Sequence, residues 1–319
     1  MKNAVKIWLV IAASLVSSGL ILFIIAMYAN GWDFKKLSTE KYSTNTYDIS
    51  EEFNNIEINT DTADIIFALS NNGKCEVICY EQKNSAHTVS AYNGTLKIDS
   101  VDNRKWYEHI GINFKTPKIK VLLSKSEYDS LSINESTGEI EIPKGFVFGS
   151  ADLSLSTGDV DFSASAVGLV KIKATTGDIE IENTTADALD LSVSTGEISV
   201  SDTVCNSYIK SGVSTGETEM ENVSCKTFDS NGTTGDIYLK RVVAQETLKV
   251  KRSTGDVRFA DSDAAEIFVK TDTGNVSGSF ATDKVFITET STGRVNVPKT
   301  VSGGRCEITT STGNIIFKG

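Results

Sequence analysis

Ser156-Thr157-Gly158-Asp159 is one of ten related stretches along this chain. Thr-Gly recurs with its glycine at Gly138, Gly158, Gly177, Gly196, Gly216, Gly235, Gly255, Gly274, Gly293 and Gly313, always 19 or 20 residues apart. Self-similarity at that period marks a stacked-repeat architecture. Apolar residues fall five and seven places before each glycine, as in Ile172 and Val170, or Val250 and Leu248. They also fall two and four places after it, as in Val160 and Phe162, or Ile315 and Phe317. Spacing by two is strand periodicity with one face inward. The inward phase shifts by one residue across Thr-Gly, so the chain bends there. A two-residue hairpin would favour Asn-Gly or Asp-Gly, and Thr at positive φ is costly. A type II-like corner, with Thr second and Gly third, fits better. Strand, corner, strand and return segment together make one coil of a parallel β-solenoid.

Four buried apolar side chains per coil cannot offset the ordering of a whole coil, so neighbours must stack. Ten coils at about 4.8 Å per layer give an all-β rod roughly 48 Å long. The 319 residues carry a formal charge of −11. Lys2 and Lys6 are the only charged side chains before Asp33, leaving 29 basic against 42 acidic residues beyond them. That balance argues against nucleic acid as a partner, since its binding needs basic patches.

Ile7 to Ala29 is an uncharged, mostly apolar run long enough to span a bilayer as a helix. Met27-Tyr28-Ala29 offers no A-x-A cleavage site, and the run is long for a signal peptide, so the reading is an uncleaved signal anchor. Residues 1–6 are then a short cytoplasmic leader, 7–29 the transmembrane anchor and 30–46 a polar tether. The acidic, Ser/Thr/Asn-rich remainder lies outside the cytoplasm, on a single-pass protein of the cell membrane. Ile56, Ile58, Thr62, Ile65 and Phe67 match the repeat, with Ala63 in place of its glycine. Residues 47–130 therefore hold a degenerate first coil and a β-rich cap, and 131–319 the solenoid repeats. The cap has strands near Cys75–Tyr80, Thr88–Ala91, Thr95–Asp99 and Lys118–Leu123, with a hairpin turn at Asn93-Gly94. Trp106, Tyr107, Ile110 and Phe114 add apolar bulk without clear periodicity.

The anchor, the strand-rich head with Trp106-Tyr107 and Gly111, and the Ser/Thr-Thr-Gly-Asp/Glu repeats resemble a bacterial β-strand-repeat family of unknown function, labelled candidate adhesins. The resemblance covers nearly the whole chain. It implies an envelope protein with a β-helix-like ectodomain, and it brings no catalytic residues.

The residue after the glycine is acidic in seven successive coils: Glu139, Asp159, Asp178, Glu197, Glu217, Asp236 and Asp256. Such a column could recruit Ca²⁺, a cation that favours oxygen ligands. The simpler reading is a solvated turn residue, because Asp and Glu interchange and each coil supplies one acid. No other metal or cofactor is indicated. His87 and His109 are the only histidines, both before the repeats, and both read as surface or loop residues. No phosphate loop, nucleophile elbow or Cys/His metal spacing is present, so the chain reads as non-catalytic. Cys75 and Cys79 share one strand and cannot bond to each other, while Cys306 is packed inward. Cys205 and Cys225 each lie nine residues after their own glycine, and in adjacent coils they could form a disulfide.

Only Lys318 and Gly319 follow Phe317, so the last coil, with Ile315 and Phe317, is expected to be an open edge. The leading functional reading is adhesion, or recognition of an envelope glycan or protein, along a rigid face. Self-assembly through that edge is the alternative, and an accessory or sensor of an envelope-stress system is a third.

Overall fold

The computed structural model describes residues 2–33, 42–102, 104 and 116–318. Trp106, Tyr107, His109, Ile110, Gly111 and Phe114 lie outside the described residues. Helix α1 (Lys2–Ala29) contains a span from Val5 to Ala29 long and apolar enough to cross a membrane or to serve as a signal sequence. The rest of the described chain is strand and turn, joined into one sheet of 26 strands.

Each coil has three sides. The strand before the corner pairs in parallel and in register with the next coil, as in Val170 with Leu189 and Ile172 with Leu191. The strand after the corner does the same, as in Val160 with Ile179 and Phe162 with Ile181. Six residues past the glycine a second corner turns the chain through left-handed backbone, at Asn183, Asp202, Asn222, Arg241 and Asp261. Asn and Asp tolerate that region best, which suits four of these five positions. The third side buries small residues, among them Ala186, Cys205, Cys225 and Ala244.

The Thr-Gly corner departs from a type II turn. Gly158 has φ of +132° and Gly196 +144°, well beyond the roughly +80° of that turn. A Cβ on Gly158 would sit 1.7 Å from the carbonyl oxygen of Gly138 in the coil beneath. Glycine is required here because successive corners touch, backbone on backbone.

The degenerate first coil is present, and Ile56, Ile58 and Thr62 pair with Leu131, Ile133 and Thr137. Two strands extend it. In the cap, β1 is Tyr42–Ile49, β2 Asn55–Thr62, β3 Asp64–Leu69, β4 Cys75–Gln82, β5 Ser85–Tyr92, β6 Thr95–Asp102 and β7 Lys118–Leu123. β6 lies parallel to β2, and β7 parallel to β3, covering both edges of the first coil. β5 and β4 then finish the two leaves in antiparallel pairing. β5 and β6 join at Asn93-Gly94, with both residues at positive φ, as a type I′ hairpin demands. β1 pairs with β4, so strand begins at Tyr42 and the tether read through Thr46 is correspondingly shorter.

The far end departs from simple stacking. The strand Gly304–Thr312 pairs with Asp256's coil neighbour Val257–Thr273 on one side and with Lys284–Thr292 on the other. The Gly313 coil is therefore inserted between those of Gly274 and Gly293. Ile315 pairs with both Val276 and Val295, and Ile315 and Phe317 are buried. The open edge expected at Ile315 and Phe317 is not there; Lys284–Thr292 and Val295–Asn296 occupy the end of the stack. Phe259, Phe280, Phe286 and Phe317 plug the core at this end, with Phe280 stacked on Phe317 at 4.7 Å. On the outer strand Lys284 points inward, buried and ion-paired with Asp263. An inward charge on an edge strand discourages pairing with another edge.

The position three residues before the glycine also faces the core and carries two charged groups. Arg252 is 1% exposed, and donates to the Val213 carbonyl and Thr218 Oγ1, both at 2.8 Å. Gly232 makes room for it, since a Cβ there would lie 1.4 Å from its guanidinium. Glu135 is 2% exposed, and one of its oxygens accepts the Ala63 N–H at 3.1 Å. Burial pushes its carboxyl up to about 8, although the Ala63 bond opposes the shift. A carboxyl with a raised folded value binds its proton more tightly in the native state, so stability falls as pH rises from the unfolded value toward 8. Denaturant unfolding between pH 5 and 9 should show this decline, with a slope up to about 1.4 kcal/mol per pH unit from this group. Glu135→Gln keeps an acceptor for Ala63 and should remove that component.

Candidate functional site: the corner column, the outer grooves and the cap cluster

Stacking brings the expected acidic column together at the Thr-Gly corner, but most of its Asp and Asn members are engaged locally. Asp159 Oδ1 accepts the Asp178 N–H at 2.8 Å, and Asp178 Oδ1 accepts the Glu197 N–H at 2.7 Å. Asp236 serves Asp256 and Asp256 serves Asn275 in the same way, both at 2.8 Å. Asn275 and Asn314 continue the chain to Arg294, in the order in which the last coils stack. A short side chain with one acceptor oxygen bridges one layer, so Asn and Asp are equivalent in this task. Among the described residues no three carboxylates of the column bring oxygens within 4.8 Å of one another.

A second acidic column, three residues past the glycine, runs beside the first at Glu141, Asp161 and Glu180. Burial and then neighbouring carboxylates raise Glu139, Asp161 and Glu197 above the usual carboxylate range. With Lys144, Glu182 and Asn183 this second column lines a groove of ≈ 490 Å³.

A different groove, of ≈ 610 Å³, crosses five coils on the side before the corner. Its wall is a rack of small polar residues, including Ser192, Ser194, Ser214, Asn231, Thr233 and Ser253. Gly212 leaves the dip. Nothing approaches its absent Cβ closer than 3.8 Å. Lys173 and Lys251 stand at the two ends, four layers or about 19 Å apart, and neither is ion-paired among the described residues. The repeat pattern does not reveal this groove, because apolar spacing carries no information about side-chain volume at outward positions.

Cys205 and Cys225 do stack in adjacent coils, between Ala186 and Ala244. Both are buried free thiols that burial pushes up to about 12. Cys306 is likewise buried. His87 corrects the expectation of a surface residue, being 5% exposed in the cap. Its Nδ1 lies 2.7 Å from Glu81 Oε2, and its Nε2 lies 2.9 Å from Thr60 Oγ1. Hydroxyl, imidazole and carboxylate thus stand in a relay, but all three are buried, with Glu81 fully so.

A family model described as Toastrack DUF4097 matches residues 53–212 and 196–318, which covers both the cap and the coils. The chain belongs to the Toastrack DUF4097 family. Among solved structures, it is similar to one from Parabacteroides distasonis described as a candidate lipid-binding protein. That match has 16% identity and a TM-score of 0.51, and covers 74% of this chain and 96% of the other. It is also similar to a candidate adhesin of Bacteroides fragilis, at 16% identity and TM-score 0.42, covering 88% and 98% of the two chains. A candidate adhesin of P. distasonis gives 13% identity and TM-score 0.46, covering 87% and 98%. No curated protein matches the chain. At 16% identity the first of these structures bears on the fold of this Toastrack protein and not on its ligand.

If the corner carboxylates act as inter-coil acceptors, Asp178→Asn should change stability by no more than about 0.5 kcal/mol. Asp178→Ala should cost about 1 kcal/mol, as for the loss of a helix N-cap acceptor. Chemical denaturation of the two variants, with and without a Ca²⁺ chelator, checks both the order and its independence of the ion.

Proposed function

We propose that this chain is a non-catalytic, membrane-anchored envelope protein whose coils present a rigid face to an acidic, hydroxyl-rich glycan of the envelope. The groove over Gly212 carries this reading. It runs across the coils, parallel to the rod axis, so each layer offers the same kind of hydroxyl or amide at a fixed spacing to an extended polymer. Its two unpaired lysines supply attraction, whereas the carboxylate-lined groove past the corner would repel the same ligand. A rigid scaffold loses little entropy on binding, which favours weak, repeated contacts. The reading is consistent with the family resemblance to candidate adhesins, and it uses helix α1 as a single-pass anchor with the coils outside the cytoplasm. Among the described residues the relay around His87 is buried, which supports a binding role over catalysis.

The test is binding of acidic and neutral polysaccharides by the purified chain, and by intact cells before and after external protease. Binding should favour acidic chains, weaken as salt rises, and vanish from cells once protease has removed the exposed coils. Gly212→Leu fills the dip without meeting backbone and should reduce affinity by about tenfold, or 1.4 kcal/mol, with stability unchanged. Gly232→Ala, which would strike Arg252 and the Val213 carbonyl, should instead destabilise the fold. Equal binding by Gly212→Leu and the parent would reject the groove. Sedimentation at rising concentration addresses the alternative of self-assembly.

A further inference from the structure

We propose that Cys79, Glu81 and His87 form a Zn²⁺ site that pins the fork of the cap. The three side chains are buried, and their ligand atoms lie within 4.8 Å of one another. They sit where the sheet divides. β4 and β5 are successive strands, yet they pair only at Gln82 and Ser85. Beyond that point β4 follows β7, and β5 follows β6, over different sides of the first coil. Alternation along β4 places Cys79 and Glu81 on one face, and His87 meets them from β5.

The surrounding hydrogen bonds leave the right atoms in the middle. Thr60 Oγ1 occupies His87 Nε2 at 2.9 Å, which orients the ring and leaves Nδ1 toward Glu81 and Cys79. Asn45 Nδ2 donates to Glu81 Oε1 at 2.5 Å, leaving Oε2 as the inward oxygen. Tyr47 donates to the His87 carbonyl at 3.0 Å and fixes the backbone that carries the ring. Such outer partners are the usual support of metal ligands. One thiolate, one carboxylate and one imidazole suit a borderline cation bound by nitrogen, sulfur and oxygen, and Zn²⁺ is the common choice. Two anionic ligands and one neutral ligand balance its charge, which matters in a buried site.

Binding exchanges a proton for the ion. The Cys79 thiol, which burial holds protonated to about 12, releases its proton to solvent as the Sγ–Zn bond forms. The imidazole stays neutral: bound through Nδ1, it carries its one ring hydrogen on Nε2, which donates to Thr60 Oγ1. His87 Nδ1 and Glu81 Oε2 stand 2.7 Å apart and must open to about 3.3 Å around a tetrahedral ion with bonds of about 2.0 Å. The His87 N–H, which also donates to Oε2 at 2.7 Å, holds the carboxylate in reach during that change.

Zn²⁺ and Co²⁺ binding by the full chain in detergent tests the proposal, with thermal unfolding and native mass spectrometry as readouts. One ion per chain, a raised Tm and a thiolate-to-Co²⁺ charge-transfer band are expected. Cys79→Ala should lose the band and the Tm response. Thr60→Val, which removes only the outer partner, should weaken affinity about 10- to 100-fold. Should either variant fail to fold, hydrogen exchange of the parent chain decides: a chelator should loosen β4 and β5 while the coils from Leu131 onward stay protected. A folded parent chain that binds neither ion, or whose band survives Cys79→Ala, would overturn the site and leave the trio as a hydrogen-bonded core network.

Discussion

Every coil of this molecule rests on the one beneath it through the contact between corner glycines. The Gly196 Cα faces the Gly177 carbonyl so closely that a Cβ would lie 2.0 Å from its oxygen. The Gly196 N–H meanwhile donates to the Thr215 carbonyl of the following coil at 3.0 Å. The corner is therefore where adjacent layers set their separation. In-register parallel pairing on the flanking strands follows from that separation, and the apolar columns at fixed offsets follow from the register. The acidic column belongs to the same constraint, since an Asp or Asn one place beyond the glycine can bridge a single layer with its side-chain oxygen.

The ends of the stack answer a problem that the middle does not face. An end coil leaves strand donors and acceptors open. At one end, β6 and β7 run alongside the first coil and hand over to antiparallel strands. At the other, the Gly313 coil is wedged between two earlier ones, and the phenylalanine plug closes the core behind Phe317. The wedged coil has paired strands on both sides, so the outer strand Lys284–Thr292 bears the exposure instead, with its inward lysine as protection.

Much of this is legible in the chain. The Thr-Gly period, the apolar offsets, Ala63 as the odd corner and the Asn93-Gly94 hairpin can all be read from residue type and spacing, because local chemistry determines them. Stacking order cannot be read that way: the glycines of the last three coils keep the ordinary spacing whether coils pile up in sequence or one is inserted. The inward position three before the glycine escapes notice because Glu135, Gly232, Arg252 and Thr271 interrupt its apolar character. The second corner had a usable signal in Asn183, Asp202, Asn222 and Asp261, all at one offset. The burial of His87 is not legible in the sequence, because its partners Thr60 and Glu81 come from strands that only the folded cap brings together. The groove over Gly212 depends on the absence of side-chain volume at one layer, which a pattern of apolar positions does not weigh.

If glycine contact sets the layer spacing, a single added methyl at a central corner should be felt by the whole stack. Equilibrium unfolding of Gly196→Ala measures this most directly. The close approach predicts a loss of at least about 3 kcal/mol, the range of severe overpacking joined to strained backbone, or failure to fold. A variant within about 1 kcal/mol of the parent, the usual cost of a tolerated change, would show that the corners do not govern the stacking.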